Sequence, residues 1–165
     1  MDLQQFEIKI LPLKNNIYRL AKALLGNATF AEDAVQDIYL KLWGQRDQIE
    51  RAENIRAFCF QLARNHCLDR LRVLKRNDFQ ELTDDNFSKE RSPYEQVEQQ
   101  DLVEKIKQLI TLLPEQQRTV IHLRDIEDLE FDEIAQITGL TENAIKVNLS
   151  RARQRIRELF NGENI

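Results

Sequence analysis

Residues 131–156 read FDEIAQITGLTENAIKVNLSRARQRI. Ile134, Ala135 and Ile137 predict a short helix, Gly139 predicts a tight turn, and Thr141 begins a second helix. Apolar residues at helical spacing predict the inward face of that second helix: Ile145, Leu149, Ala152 and Ile156. This layout is that of a helix-turn-helix, whose second helix can lie in the major groove of DNA.

The outward faces of the second helix are polar and basic. They carry Asn143, Lys146, Asn148, Arg151, Arg153, Arg155 and Arg157. From Lys146 to Arg157 there are five basic residues and no acidic one. Basic and amide side chains bind phosphates and base edges. The C-terminal part of the chain is therefore predicted to bind DNA.

The composition of the 165-residue chain favours an all-α fold. Charged residues make up 32% and aromatic residues 7%, with four glycines and three prolines, which is atypical of sheet-rich proteins. Cys59 and Cys67 lie in one predicted helix, too far apart for a disulfide, and are interpreted as small buried hydrophobes of a reducing compartment. A metal site that joins them to His66 is the less favoured alternative, because no spacing matches a zinc motif.

Several classes of protein are disfavoured by what the sequence lacks. It contains no signal peptide and no apolar run long enough to span a membrane, which predicts a cytoplasmic protein without membrane insertion. It also contains no phosphate-binding glycine loop and no nucleophile set. We therefore expect no enzymatic activity, no cofactor and no metal.

Charge is unevenly distributed within the net charge of −4. Residues 1–76 hold 13 basic and 9 acidic side chains, residues 77–101 hold 2 and 8, and residues 102–165 hold 9 and 11. Because phosphate contacts dominate non-specific affinity, we expect the chain to bind DNA weakly alone and to depend on a partner.

Helical periodicity divides the chain into two small helical domains. The first, residues 1–76, has a helix that Pro12 starts or kinks, a helix over residues 31–43, a polar loop over residues 45–53 and a long helix from about Asn54 to Arg76. Residues 77–98 are acidic, include Ser92-Pro93 as a helix breaker, and are predicted to form a flexible linker. The second domain, residues 99–165, has a helix with Pro114 at its first position, and the helix-turn-helix follows.

The predicted helix over residues 31–43 has two unlike sides. One side is apolar, with Ala31, Val35, Ile38 and Leu42. The opposite side carries a set that we call the acidic strip: Asp33, Gln36, Asp37 and Leu40. Such a strip suits a basic, partly apolar surface of another protein. From spacing alone, a solvated helix face is the favoured reading and a docking surface is the alternative.

The long helix mixes basic residues with an amide and two aromatic side chains. They are Arg56, Arg64, Arg70, Arg72, Lys75 and Arg76, with Asn65, Phe58 and Phe60. This mixture could follow a nucleic-acid backbone and receive unstacked bases. Alternatively, the phenylalanines belong to the core and the arginines are solvated.

Three segments of the chain, in order, resemble bacterial sigma factors of the sigma-70 family, in the small extracytoplasmic-function (ECF) group. AEDAVQDIYLKLW resembles the helix that docks on RNA polymerase, and NIRAFCFQLARNHCLDRLR resembles the segment that recognises and melts the minus-ten promoter element. Residues 112–159 resemble the domain that reads the minus-thirty-five element. The resemblance implies a promoter-specificity subunit whose partners are core RNA polymerase, promoter DNA and an anti-sigma factor.

The resemblance also implies roles for individual residues. It places Asp33, Gln36 and Asp37, with Leu40 beside them, at polymerase-docking positions, and so reverses the preference for a solvated face. Candidates for the minus-ten strand form the basic set: Arg56, Arg64, Asn65, Arg70 and Arg72. Candidates for minus-thirty-five DNA form the recognition face: Lys146, Val147, Arg151 and Arg153, with Asn143 and Asn148 as neighbours. Residues 45–53 resemble a loop that captures a flipped base, and residues 77–98 would follow the RNA exit path.

The sequence departs from the family pattern at two places, and two other functions are alternatives to this reading. His66 and Cys67 stand where the family more often has apolar residues, and His66 is interpreted as a satisfied, partly buried histidine rather than a pH sensor. Asn148 stands where many members have a basic side chain, so the promoter sequence is left open. One rival is a helix-turn-helix regulator that binds operators as a dimer without polymerase. The other is an interaction protein that occupies a partner without directing transcription.

Overall fold

A computed structural model describes residues 1–80 and 101–162 of the chain. Over those residues the chain is helical and contains no strand, which confirms the all-α prediction. The helices are α1 (Leu3–Lys9), α2 (Lys14–Leu25), α3 (Ala28–Gly44), α4 (Arg46–Arg51), α5 (Ile55–Gln80), α6 (Leu102–Ile110), α7 (Glu115–Ile121), α8 (Phe131–Thr138) and α9 (Glu142–Gly162). A 3-10 turn (Leu11–Leu13) precedes α2, and a π-helical turn (His122–Ile126) follows α7.

The described residues fall into an N-terminal half, residues 1–80, and a C-terminal half, residues 101–162. The N-terminal half is built on α2, α3 and α5, which pack against one another. Gly26 adopts a left-handed conformation and ends α2, and the Asn27 side chain then accepts a hydrogen bond from Phe30 N at 2.9 Å to begin α3. The apolar side of α3 is buried as predicted: Ala31, Val35, Ile38 and Leu42. This burial fixes the rotation of α3 and turns its opposite side to solvent.

The predicted helix-turn-helix is confirmed as α8 and α9. Gly139 has a φ of 76° and its N–H donates to Ala135 O at 2.8 Å, which ends α8. Thr141 Oγ1 accepts from Ala144 N at 3.1 Å and caps α9. Ile145, Leu149 and Ala152 are buried and Ile156 is half-buried, as predicted. The remaining sides of α9 face outward.

Replacing Gly139 with alanine is expected to lower the free energy of unfolding by about 1–2 kcal/mol, because the left-handed conformation disfavours a Cβ. A Cβ at Gly139 would meet nothing within 4 Å, so the penalty is conformational rather than steric. The matched control is Gly44→Ala, which is also uncrowded but lies at the end of α3 without a positive φ. Urea unfolding of the two variants measures the difference; equal effects would contradict this account.

Three sequence predictions need correction. Residues 46–51 of the predicted loop over residues 45–53 form the helix α4, because Ile49 is fully buried and provides a core contact within an otherwise polar segment. Pro114 lies at the N-cap position of α7, one residue before the first helical position that was predicted for it. The helix α5 continues past Arg76 to Gln80, so residues 77–80 of the predicted linker are helical. The rest of that linker, with Ser92-Pro93, lies outside the described residues.

The two halves pack against each other. Contacts join α2 to α7 and to the π-helical turn, and join α5 to α8. The buried apolar side chains of both halves form one continuous core. That each half is a separate domain stays a prediction.

No helix described in residues 1–80 and 101–162 is both long and apolar enough to cross a membrane.

Candidate functional site

The acidic strip lies on the exposed side of α3, opposite its buried side. Asp33, Gln36, Asp37 and Leu40 are all exposed, and the Leu40 side chain is 72% accessible. The Asp33 side chain forms no hydrogen bond or ion pair with any residue that the structure describes. Within the described residues the Asp33 carboxylate is therefore unpaired and Leu40 faces solvent, whereas the Asp37 carboxylate lies near a buried histidine.

Below Asp37 lies a buried histidine that a lysine holds in place. Lys41 Nζ is 2.9 Å from His66 Nδ1, so the ammonium group donates to the ring, while His66 Nε2 lies 3.8 Å from Asp37 Oδ2. Burial lowers the pKa of His66, the charge of Lys41 lowers it further, and Asp37 opposes both. The ring is therefore neutral at pH 7. This supports the interpretation of His66 as a buried structural residue, although Nε2 has no hydrogen bond within the described structure.

The two cysteines are buried and free, as expected for small hydrophobes. Burial raises the pKa of Cys59 and of Cys67 to about 12. Neither thiol is therefore ionised at neutral pH. Within residues 1–80 and 101–162, no group of histidine, cysteine and carboxylate side chains could hold a metal ion.

The basic set on α5 does not form a single strip. At about 100° per residue, Arg56 and Arg72 lie roughly 160° apart around the helix. Asn65 and Arg72 share a side with Phe58, because the three recur at seven-residue intervals. Phe60 is fully buried and so belongs to the core, whereas Phe58 is only half-buried. Phe58 is thus the aromatic candidate for contact with a base.

Local partners further divide the basic set. Arg64 Nη1 donates to Asn65 Oδ1 at 3.1 Å, and Arg72 Nη2 donates to Asp69 Oδ1 at 2.7 Å, while Arg70 is exposed. Arg56 differs from the others because its partner is Glu133 on α8, in the other half of the chain.

The recognition face on α9 separates into free and engaged side chains. Asn143, Val147 and Arg151 are exposed, and none of their side chains forms a hydrogen bond or ion pair with a residue that the structure describes. Lys146 lies 3.4 Å from Glu142, and Asn148 Nδ2 donates back to Ala144 O at 2.8 Å. Arg153 is held by two hydrogen bonds to Asp125, at 2.6 Å and 3.0 Å. Arg151 is consequently the most available cation of the set.

A shallow groove of about 480 Å³ beside Arg151 contains residues that the sequence analysis did not single out. Gln117 from α7 and Ser150 from α9 line this groove. Ser150 follows Asn143 by two turns and shares its side of the helix, so helical spacing could have identified it. Gln117 could not be found in this way, because its position depends on how α7 packs against α9.

A buried carboxylate joins the two halves of the chain. Glu127, whose side chain is 1% exposed, accepts from Arg19 Nε and Nη2, both at 2.9 Å, and from Asn16 Nδ2 at 2.9 Å. Within its own half it lies 3.0 Å from His122 Nε2. The next residue, Asp128, has a φ of 57° and completes the turn that brings Glu127 inward. Four donor atoms from both halves therefore meet at one carboxylate.

Two further polar contacts cross the same boundary. Arg56 Nη2 donates to both oxygens of Glu133, at 2.7 Å and 2.9 Å, and Asn54 Nδ2 donates to the same carboxylate at 3.0 Å. Arg118 Nη1 donates to Leu24 O at 2.8 Å, at the C-terminal end of α2, where a cation is favoured. No sequence pattern pointed to these pairs, because they join residues far apart in the chain.

The hydrogen bonds to the Glu127 carboxylate predict that the stability of the protein depends on pH. Burial raises the pKa of Glu127, but hydrogen bonds from His122, Arg19 and Asn16 outweigh burial and hold it at about 2. Because this lies below the ordinary value of 4.5, the stabilisation is complete above pH 4.5 and is lost as the pH falls toward about 2. We expect Glu127→Gln to lower the free energy of unfolding at pH 7 by about 2 kcal/mol.

Urea unfolding of the parent and of Glu127→Gln across pH 7 to 2 measures this effect, and the gap between them should shrink below about pH 4.5. The control is Glu130→Gln, which removes an exposed carboxylate from the same segment. A gap for Glu127→Gln that is constant with pH would show that the carboxylate charge is not the source of the stabilisation.

Comparison with known proteins gives concordant matches to both halves. The family model of sigma-70 region 2 matches residues 10–77, and that of sigma-70 region 4 matches residues 103–156. The RNA polymerase sigma factor SigV of Bacillus subtilis is 29% identical over 153 residues, covering 92% of this chain and 89% of its own. The ECF RNA polymerase sigma factor SigW of the same organism is 26% identical over 155 residues, covering 88% and 83%.

A solved structure is similar over nearly the whole chain. It is the sigma factor RpoE of Bartonella quintana in complex with the anti-sigma factor NepR, with a TM-score of 0.76 and 25% identity. The similarity covers 96% of this chain and 98% of that one.

Proposed function

The chain belongs to the sigma-70 family as an extracytoplasmic-function sigma factor, and from this premise we propose which of its surfaces carry out promoter-specific initiation. We assign polymerase docking to the acidic strip, contact with the minus-ten element to the basic set, and contact with the minus-thirty-five element to the recognition face. Such proteins are DNA-binding regulators rather than enzymes. We further place its action in the cytoplasm, where polymerase meets DNA.

The observation that carries the proposal is the exposed acidic strip. Asp33, Gln36 and Asp37 offer charge and hydrogen-bond acceptors, and Leu40 offers apolar surface at the end of the same row. An interface gains affinity from an apolar side chain that becomes buried and gains specificity from the charges around it. This combination supports docking on a basic surface of core polymerase.

The proposed roles on DNA follow from the chemistry of each helix. On α9, Arg151 and Asn143 can contact phosphates or base edges, and a good bidentate base contact contributes about 1–3 kcal/mol of discrimination. On α5, Phe58 beside Asn65 and Arg72 offers a ring for stacking and two polar groups for the strand. Unstacking a base costs a few kcal/mol, and stacking on an aromatic ring returns about 1–3 kcal/mol.

Control by an anti-sigma factor is the remaining part of the proposal. The similar structure from Bartonella quintana contains such a partner, and its sigma factor aligns with 96% of this chain. A protein that covers the acidic strip would prevent docking on polymerase.

The decisive experiment mixes the purified chain with core polymerase and genomic DNA and maps the transcription starts. Discrete starts that require the chain are expected. Binding to operators by the chain alone, with a palindromic footprint and no effect on polymerase, would instead favour a dimeric regulator. Binding to a partner without new starts would favour the interaction-protein alternative.

A further inference from the structure

A histidine from α5 reaches the acidic strip on α3. Asp37 and Lys41 are four residues apart on α3, and the ring of His66 meets both: Lys41 Nζ lies 2.9 Å from Nδ1, and Asp37 Oδ2 lies 3.8 Å from Nε2. We propose that His66, held by Lys41, is a positioning residue that orients the Asp37 carboxylate for docking on core polymerase. The inference rests on the proposed function, since Asp37 acts there as a docking residue.

The contact with Lys41 fixes which ring nitrogen of His66 carries the proton. An ammonium group has three donors and no acceptor, so Nδ1 must accept the hydrogen bond through its lone pair. The ring is neutral, because burial and the charge of Lys41 both lower the pKa of His66. A neutral imidazole has one N–H, which must then lie on Nε2. The nitrogen that faces Asp37 is therefore a donor.

This Nε2–H group has no acceptor other than Asp37 within reach. The His66 side chain is 7% exposed, and Nε2 is buried without a hydrogen bond to any residue that the structure describes. Among residues 1–80 and 101–162, Asp37 is the only residue with a carboxylate within 4.0 Å of the ring. Of the other charged groups that act on the ring from α5, Asp69 is bound to Arg72 at 2.7 Å, and Arg70 is a cation that cannot accept.

A buried donor without an acceptor costs more free energy than a solvated one, so conformations of Asp37 that turn Oδ2 toward Nε2 are favoured. The distance of 3.8 Å is longer than a hydrogen bond, and a small rotation of the 56% exposed Asp37 side chain would close it. The position of the ring therefore restricts the carboxylate. Asp33, in the same strip, has no such group beside it.

Restricting Asp37 before docking lowers the cost of binding. An interface must immobilise each exposed side chain that it uses, and a side chain that is already oriented loses less freedom. The benefit for one short side chain corresponds to about a three- to tenfold gain in affinity. We therefore expect the loss of the Nε2–H donor to weaken polymerase binding by that factor.

Two amide substitutions at His66 separate its two contacts. In His66→Asn the short side chain retains an acceptor near the position of Nδ1 for Lys41, but its amide group does not extend to the position of Nε2. In His66→Gln the longer side chain places an N–H donor near the position of Nε2, facing Asp37. The matched control is Cys67→Ala, which opens a cavity at the next, fully buried residue of α5 without removing this donor.

Titration of core polymerase with labelled full-length protein measures the effect. His66→Asn should weaken binding about three- to tenfold, whereas His66→Gln and Cys67→Ala should stay within about twofold of the parent. If His66 acts through Asp37, then His66→Asn should cause no further loss in a chain that already carries Asp37→Ala. Urea unfolding and far-UV circular dichroism verify that every variant is folded.

Nuclear magnetic resonance of the ring nitrogens tests the same geometry without polymerase and without a substitution at His66. The parent should show a neutral His66 with its proton on Nε2. Replacing Asp37 with alanine should shift the Nε2 resonance, because the facing carboxylate is lost. A ring protonated on Nδ1, or an Nε2 resonance that ignores Asp37, would overturn the inference.

The binding results distinguish this inference from the proposed function. Equal losses for His66→Asn and His66→Gln, or the same loss with and without Asp37→Ala, would make His66 a core residue only. If Asp37→Ala weakens polymerase binding but His66→Asn does not, the inference alone is wrong. If Asp37→Ala itself leaves the affinity unchanged, the proposed docking role of Asp37 is wrong, and the positioning role of His66 fails with it.

Discussion

Replacing Asp33 with arginine is expected to reduce promoter-specific transcription by about 100-fold or more. The substitution places a positive charge against the basic polymerase surface on which the Asp33 carboxylate is proposed to dock. Asp33 is well suited to this test, since it is exposed and forms no ion pair within the described structure that the substitution would break. Titration of core polymerase with labelled protein should show a matching loss of affinity. Run-off transcription at saturating DNA should then show no discrete starts.

Two comparisons make the Asp33→Arg result specific. Glu7→Arg makes the same change of charge at an exposed position on α1, outside the acidic strip, and should leave the affinity for polymerase within a few-fold of the parent. Asp37→Arg should resemble Asp33→Arg, although it also places a cation near Lys41 and His66. Polymerase binding that survives Asp33→Arg in a folded protein would remove the acidic strip from the proposal.

The parts of the fold that the sequence predicted are those that depend on nearby residues. The turn at Gly139, the cap at Thr141 and the buried row on α9 all lie within one segment, so periodicity and turn chemistry were sufficient. The two sides of α3 were predicted for the same reason. Short α4 was missed because Ile49 is a single apolar residue in a polar stretch, and its burial depends on the rest of the half.

The contacts between the halves could not be predicted, since no local pattern records them. Arg19 and Glu127 are 108 residues apart, and Arg56 and Glu133 are 77 apart. From sequence, Arg56 was equivalent to the other arginines of α5, and Glu133 was an ordinary residue in the first turn of α8. Only the packing of α5 against α8 distinguishes them.

The same limit applies within the recognition face. Arg151 and Arg153 are two residues apart, and the sequence gives no reason to separate them. In the structure, Arg153 is held by Asp125 at 2.6 Å, across 28 residues of chain, whereas Arg151 points away from the core with no described partner. Reversing the charge of each arginine is therefore expected to have a different effect.

Arg151→Glu is expected to weaken binding to the minus-thirty-five element by roughly 30- to 100-fold, since it removes a cation and places a carboxylate near phosphates. The affinity for core polymerase should not change, because α9 lies in the other half from the acidic strip. The negative slope of log affinity against log salt concentration should also become shallower by about 1 if Arg151 contacts a phosphate. Stability should be unaffected, because no described contact is lost.

Arg153→Glu is the matched comparison for Arg151→Glu. It makes the same change of charge on the same helix, but it breaks two hydrogen bonds and sets a new carboxylate against Asp125. We therefore expect Arg153→Glu to lower the free energy of unfolding by about 1–2 kcal/mol as well as to weaken DNA binding. DNA affinity measured by fluorescence anisotropy, together with urea unfolding, separates the two effects. If Arg151→Glu leaves promoter binding unchanged while Arg153→Glu weakens it, the engaged arginine must leave Asp125 to bind DNA, and the assignment of Arg151 is wrong.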